Sequence, residues 1–193
     1  MKQIFFILAV IFLLASCDKD KCTYTLGERE YNLIPYAAND TITATFYGKN
    51  DEPTVEKLIV GEGELFVINN QGAFGKPLLC DGTFDVYKLS IYNIDESLML
   101  DGYIEMTKEG GNFIFNTRIN YDKMSYGFGM RPFEPEDSYF DSSYIYLDSK
   151  YIDDMTYNEV YILPVESDTL YYSTQTGLIK LIYPDGVIKF EKE

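Results

Sequence analysis

Apolar and polar residues alternate with a period of two along much of this chain. The clearest case is Asn112 to Tyr121, where Phe113, Phe115, Thr117, Ile119 and Tyr121 interleave with Asn116, Arg118 and Asn120. Successive strand side chains point to opposite faces, so the pattern predicts one buried and one wet face. Leu98, Leu100, Ile104 and Met106 alternate in the same way with Asp101, Tyr103 and Glu105. Between the two lies Glu109-Gly110-Gly111-Asn112, and glycine tolerates the positive φ of a hairpin turn. Residues 98–121 are therefore expected to form an antiparallel hairpin.

A second hairpin is expected at the C-terminus. Residues 178–183 and 187–191 flank Tyr183-Pro184-Asp185-Gly186, in which proline presets the first turn position and glycine accepts the left-handed one. Further strands are predicted over residues 31–35, 41–47, 64–69, 84–92, 143–148, 159–164 and 169–173. Turn signals separate them at Ala38-Asn39-Asp40, residues 48–53, residues 69–72 and Glu166-Ser167-Asp168. No segment carries an apolar stripe at helical spacing. Many short strands at this spacing predict an all-β fold, an antiparallel meander forming a barrel, half-barrel or sandwich. The stretch "GFGMRPFEPED", residues 127–137, has two glycines and two prolines and then turns acidic. It reads as a long irregular loop, either an exposed connection or a binding loop, and it divides the domain near 126–138 if anything does.

The N-terminus obeys a different pattern. One positive charge, Lys2, precedes an unbroken apolar run over residues 4–14. A bilayer-spanning helix needs about 20 apolar residues, so the run is too short to span. It has the length of a signal-peptide core, and Ala15-Ser16 supply the small residues of a cleavage site. Leu14-Ala15-Ser16-Cys17 resembles a lipobox, the processing site of bacterial lipoproteins. That resemblance implies acylation of the Cys17 thiol, cleavage before Cys17 and acylation of the new amino terminus. Two or more acyl chains anchor stably where one does not. The following Asp18-Lys19-Asp20-Lys21 resembles the surface-export signal of Bacteroidota-type lipoproteins. Lys19 and Asp20 match it, and Lys21 stands where a second acidic residue is usual. The implied organisation is a signal peptide over residues 1–16, an acylated tether over 17–29 and a single β-rich domain over 30–193.

Composition narrows the chemistry. Removing the first 16 of 193 residues leaves 177, enough to bury a sizeable core. The removed segment holds one of the 16 basic residues and none of the 31 acidic ones, so the remaining 15 basic and 31 acidic residues give a net charge of −16. Such a charge argues against nucleic acid as a partner. Histidine is absent, which removes the usual general base and every Ser-His or Cys-His nucleophile. Tryptophan is absent too, while tyrosine reaches 18 residues, a type suited to half-buried strand faces and to contact surfaces.

Beyond Cys17 the cysteines are Cys22 and Cys80. An oxidising compartment permits a disulfide between them, worth roughly 4 kcal/mol for so long a loop in the chain-entropy model. The alternative is a buried free thiol at Cys80, inside the apolar "PLLC". Paired carboxylates are the one catalytic option in the sequence, with Asp153, Asp154 and Glu159 as one group and Asp81 and Asp85 as another. None sits in a recognisable motif, and close carboxylates are expected by chance in so acidic a chain. "CDGTFD" and "IDDMTYNE" offer oxygen ligands without the EF-hand spacing, and no phosphate-binding glycine loop or zinc-spaced cysteine pair occurs. No metal or cofactor is expected.

Two stretches, residues 30–50 ("EYNLIPYAANDTITATFYGKN") and 157–186 ("YNEVYILPVESDTLYYSTQTGLIKLIYPDG"), are similar to the early strand pair and the C-terminal module of uncharacterised Bacteroidota-type lipoproteins. The resemblance implies a β-rich lipoprotein and carries no activity with it. Within the second stretch, Tyr157, Val160, Tyr161, Tyr171, Tyr172, Ile179 and Leu181 are expected to form sheet faces and core, with a tyrosine ladder for stacking a sugar as the sharper alternative. The functional expectation is a non-catalytic outer-membrane lipoprotein, held by acyl chains on Cys17 and displayed on the cell surface, that binds an envelope protein or a glycan. Its rival is a periplasm-facing assembly protein that binds a lipid or another envelope protein.

Overall fold

The computed structural model describes residues 22–49, 52–70, 82–94, 100–109, 112–121, 124–130 and 144–193. In chain order these form β1 (Cys22–Tyr24), a helical turn α1 (Glu28–Tyr31), β2 (Thr41–Gly48), β3 (Thr54–Asn70), β4 (Gly82–Asn93), β5 (Leu100–Glu109), β6 (Asn112–Tyr121), β7 (Met124–Met130), β8 (Ile145–Ile152), β9 (Met155–Val165), β10 (Asp168–Ser173), β11 (Gly177–Tyr183) and β12 (Gly186–Lys192). The fold is all-β. One sheet runs in the order β7-β6-β5-β4-β3-β2-β12-β11-β10-β9-β8 and curls into a half-barrel. Two antiparallel meanders, β2–β7 and β8–β12, are joined where β12 pairs with β2, from Gly186 opposite Gly48 to Lys192 opposite Ile42.

The alternation seen in the sequence becomes the packing. Ile42, Ala44 and Phe46 of β2 point inward, as do Leu100, Ile104 and Met106 of β5 and Phe113, Phe115, Thr117 and Ile119 of β6. They meet Leu163, Leu170, Tyr172, Leu178, Leu181, Ile188 and Phe190 from the second meander in one core. Phe115 and Tyr172 touch across it, ring centroids 5.0 Å apart. Tyr172, Val160, Tyr161, Ile179 and Leu181 are buried as expected of sheet and core residues. Ile152, Val160 and Ile179, with half-buried Tyr157 and Tyr171, form a smaller cluster on the other face of β9–β11.

Three local expectations are corrected. Residues 31–35 are not a strand. Glu28–Tyr31 makes one helical turn because the Glu30 carboxylate reaches back to accept the Gly27 N–H at 2.8 Å. The chain then carries Leu33 and Tyr36 into the core as a plug. The Tyr172 hydroxyl donates to the Leu33 carbonyl at 2.5 Å, and the Leu178 N–H donates to the Tyr36 hydroxyl at 2.6 Å. The irregular reading of residues 127–137 is also wrong at its start. Met124–Met130 is strand β7, with Tyr126, Phe128 and Met130 buried and the glycines turned outward. Residues 131–143 lie outside the description. Finally, Cys22–Tyr24, expected as tether, is a strand. It pairs in parallel with the start of β4, Cys22 opposite Gly82, beyond the stretch Val86–Tyr92 that β5 covers.

These elements give the half-barrel two unlike mouths. The plug, Leu26 to Tyr36, closes the end where β5 finishes and β6 begins. The opposite mouth lies where β2, β6 and β11 finish, and four aromatic rings stand among its lining residues.

Candidate functional site

Inward positions at the last rung of a strand point into a mouth and not into the packed centre. Four inward aromatic rings stand at or near this mouth: Tyr121 and Tyr183 end β6 and β11, Phe46 lies two residues before the end of β2, and Tyr126 is the third residue of β7. Phe46 and Tyr121 stack at 4.6 Å with an interplanar angle of 25°. Tyr183 lies against both neighbours, 6.2 Å from Tyr121 and 5.7 Å from Tyr126. Together they floor an open cleft of about 410 Å³. Lys49, Glu52 and Asp185 stand on its rim with Met124 and Thr54. Lys49 Nζ approaches Asp185 Oδ1 to 3.5 Å, and both side chains are well exposed. The rim therefore presents both signs of charge above an aromatic floor.

Burial pushes the Tyr183 phenol upward, reinforced by Tyr121, Tyr126 and Asp185. The ring stays protonated at neutral pH and offers a neutral hydroxyl beside a flat face. The size falls within the ordinary range of small-ligand sites, which combine apolar walls with a few polar groups.

Of the carboxylates singled out in the sequence, Asp85, Asp153, Asp154 and Glu159 do not line this cleft. Asp153 and Asp154 form the β8–β9 turn with φ of 46° and 70°, a conformation Asp tolerates better than most residues. Burial pushes Asp153 up, but hydrogen bonds and charge from Lys180 at 2.9 Å and Lys189 at 3.1 Å outweigh it and hold the carboxyl below its usual range. Asp154 accepts the Tyr151 hydroxyl at 3.1 Å, and Glu159 accepts the Thr174 hydroxyl. Asp85 accepts the Leu26 N–H at 3.1 Å, at the plugged end. Each of these four carboxylates has a structural partner. Asp81, Cys17 and Cys80 lie outside the described residues. Cys22 has its backbone beside Gly82, and its pairing with Cys80 stays open. Among the described residues no group of three or more Cys, Asp or Glu side chains is placed to hold a metal ion.

The tyrosines of the cleft escaped the sequence reading because Tyr121 and Tyr183 look like ordinary strand ends and Tyr126 fell next to an apparent loop. The usable signal was position: each sits within two residues of a strand end. A shallower groove of about 330 Å³ lies on the outer face of β5–β7. There Lys88 Nζ stands 4.4 Å and the Arg118 guanidinium 5.7 Å from the Tyr103 ring centre. No protein-family model matches the chain, and no curated protein or solved structure shows significant similarity to it.

Proposed function

We propose that this protein is a non-catalytic lipoprotein of the bacterial outer membrane, held by acyl chains on Cys17, whose half-barrel binds a glycan or a segment of another envelope protein in the aromatic cleft. The cleft carries the reading. Its rings are flat, and those of the three tyrosines add a hydroxyl, which suits the apolar face of a sugar or an extended peptide. The rim supplies hydrogen-bonding groups of both signs, and the net charge of −16 opposes nucleic acid. The rival role, cupping a lipid within the sheet, calls for an open apolar concavity. Here the described concave face is filled by side chains of both meanders, which weighs against it. The Lys19-Asp20 pair supports display on the outer surface.

Affinity electrophoresis through gels containing soluble neutral polysaccharides tests the binding. Retardation of the wild-type protein is expected, with Tyr183→Ala weakening it by about tenfold or more, the scale of an aromatic anchor at an interface. Tyr151→Ala, on the exposed β8–β9 hairpin, should leave it unchanged. Equal retardation of all three proteins would remove the cleft from the account, and absence of retardation would remove the glycan. The anchor is tested separately. Labelled palmitate should enter the wild-type chain and not Cys17→Ala, and protease added to intact cells should remove the domain.

A further inference from the structure

The second half of β3 is unlike the rest of the sheet. Strand β2 pairs with β3 only as far as Ile59, so from Gly61 onward β3 has one neighbour among the described residues, β4. The result is a ribbon of β3 and β4 that runs past the plugged mouth to its last pair, Asn70 opposite Gly82; β5 and then β1 take the far side of β4, and the outer edge of β3 stays unpaired among the described residues. Four consecutive apolar residues on it are exposed: Leu65 at 54%, Phe66 at 44%, Val67 at 62% and Ile68 at 43%. Alternation puts Leu65 and Val67 on one face of β3 and Phe66 and Ile68 on the other, so exposed apolar side chains stand on both of its faces. Soluble proteins rarely leave a run of this kind uncovered on an unpaired edge.

The position of β1 indicates what covers it. β1 runs parallel to β4 with Cys22 beside Gly82, so the chain, followed back toward its N-terminus, leaves the domain toward the tip of the ribbon. Cys17 lies five residues before Cys22. Fully extended, five residues reach at most about 18 Å. A bilayer holding Cys17 by its acyl chains is therefore kept within that distance of Cys22, which itself lies beside the tip pair of the ribbon. Ile68 is two residues from the tip pair. The aromatic cleft lies at the other end of β3, where Thr54 is part of its lining.

We propose that the Leu65–Ile68 ribbon is a second membrane contact, lying in the lipid interface beside the acyl anchor and holding the half-barrel with its cleft turned away from the membrane. The proposal rests on the lipid-anchor reading of Cys17. A net charge of −16 gives no attraction to anionic lipid, so the contact is apolar and forms on zwitterionic bilayers. One acyl chain holds a protein marginally, and an apolar surface patch adds to whatever the chains supply.

The chain has no tryptophan, so a single introduced one reports alone. Full-length acylated protein carrying Val67→Trp, or Ile68→Trp where the first fails to fold, is reconstituted into phosphatidylcholine vesicles, with Val55→Trp at the far end of β3 as reference. The expected result is a shift of emission to shorter wavelength at position 67 and quenching by lipid brominated near the headgroup. Position 55 should keep the emission of a water-exposed indole. Vesicle-bound, palmitate-labelled protein whose indole at position 67 stays in water would overturn the ribbon contact and leave the anchor standing. A wild-type chain that takes up no palmitate and binds no vesicle would overturn both. A blue shift without lipid that grows with protein concentration would make a second copy the occupant and overturn the membrane contact.

Discussion

Gly177 is the residue on which the plug and the second meander converge. Its φ is +83°, and a Cβ built there would meet the ring and hydroxyl of Tyr36. That ring cannot retreat freely, because it is buried and its hydroxyl accepts the Leu178 N–H. Gly177→Ala combines a left-handed backbone with overpacking, and it should cost about 3 kcal/mol. Thermal unfolding should show a fall in Tm of roughly 6–12 °C for a domain of this size. Gly127→Ala is the contrasting case, since no atom lies within 4 Å of its would-be Cβ and its φ is not left-handed. It should change stability by no more than about 0.5 kcal/mol, leaving Tm the same or slightly higher. At this scale the sequence was informative about kind and silent about place. The tyrosines announced half-buried rings, but which of them plug a core and which floor a cleft depends on which strands end side by side.

Among the elements, β12 has the largest consequence for its length. It is the last strand in the chain and lies in the interior of the sheet, between β2 and β11. Among the described residues the two meanders share no other strand pairing. Glu193 adds to the seam, its N–H donating to the Thr41 carbonyl at 3.0 Å and its carboxylate pairing with Lys57 at 2.9 Å. Truncation after Asp185 should therefore abolish the folded state, because it bares the inner edges of both meanders and strips Ile188 and Phe190 from the core. Loss of dispersed amide resonances and rapid proteolysis would report it, whereas a truncated chain that stays folded would mean the meanders are independent. Most strands were legible from alternation, among them β2, β5, β6 and β9–β12. β7 was not, because glycines 127 and 129 occupy its outward positions and mimic a loop. β1 and α1 were not, because three or four residues are too few for any period, and their conformation is imposed by β4 and by the core beneath them.

Across the whole molecule, ionisation sets a pH window for stability. On the acid side, burial raises Glu30, but the Lys108 and Gly27 hydrogen bonds outweigh it and the net shift is downward. Asp40 is lowered by Lys192 and by the Ala37 N–H, and Asp153 by its two lysines against the opposing effect of burial. A depressed folded pKa adds stability that is present above the unfolded value, about 4, and is lost as pH falls below it. On the alkaline side, burial holds Tyr36 and Tyr172 well above the usual phenol range and Tyr161 at about 12. A raised folded pKa adds stability that is complete below the unfolded value, about 10, and is lost as pH rises beyond it. With no histidine to titrate between these limits, urea midpoints measured from pH 3 to 12 should show a plateau flanked by two declines. A decline centred near neutrality would contradict this account.

Alternation alone settles the class of fold, because a period of two is a local property that needs no partner to be read. The acidic charge, the absence of imidazole chemistry and the lipobox-like residues around Cys17 are likewise read from the chain alone. The tertiary structure decided what depends on residues far apart in the chain. Pairing of β12 with β2 makes one half-barrel of two meanders. Residues 26–36 become a plug only because a core exists for them to close. Phe46, Tyr121, Tyr126 and Tyr183 become a cleft only because four strand ends share one mouth. The physical reason is the same in each case: alternation fixes which face of a strand is buried, while register and strand order, set by packing across the core, fix which residues meet.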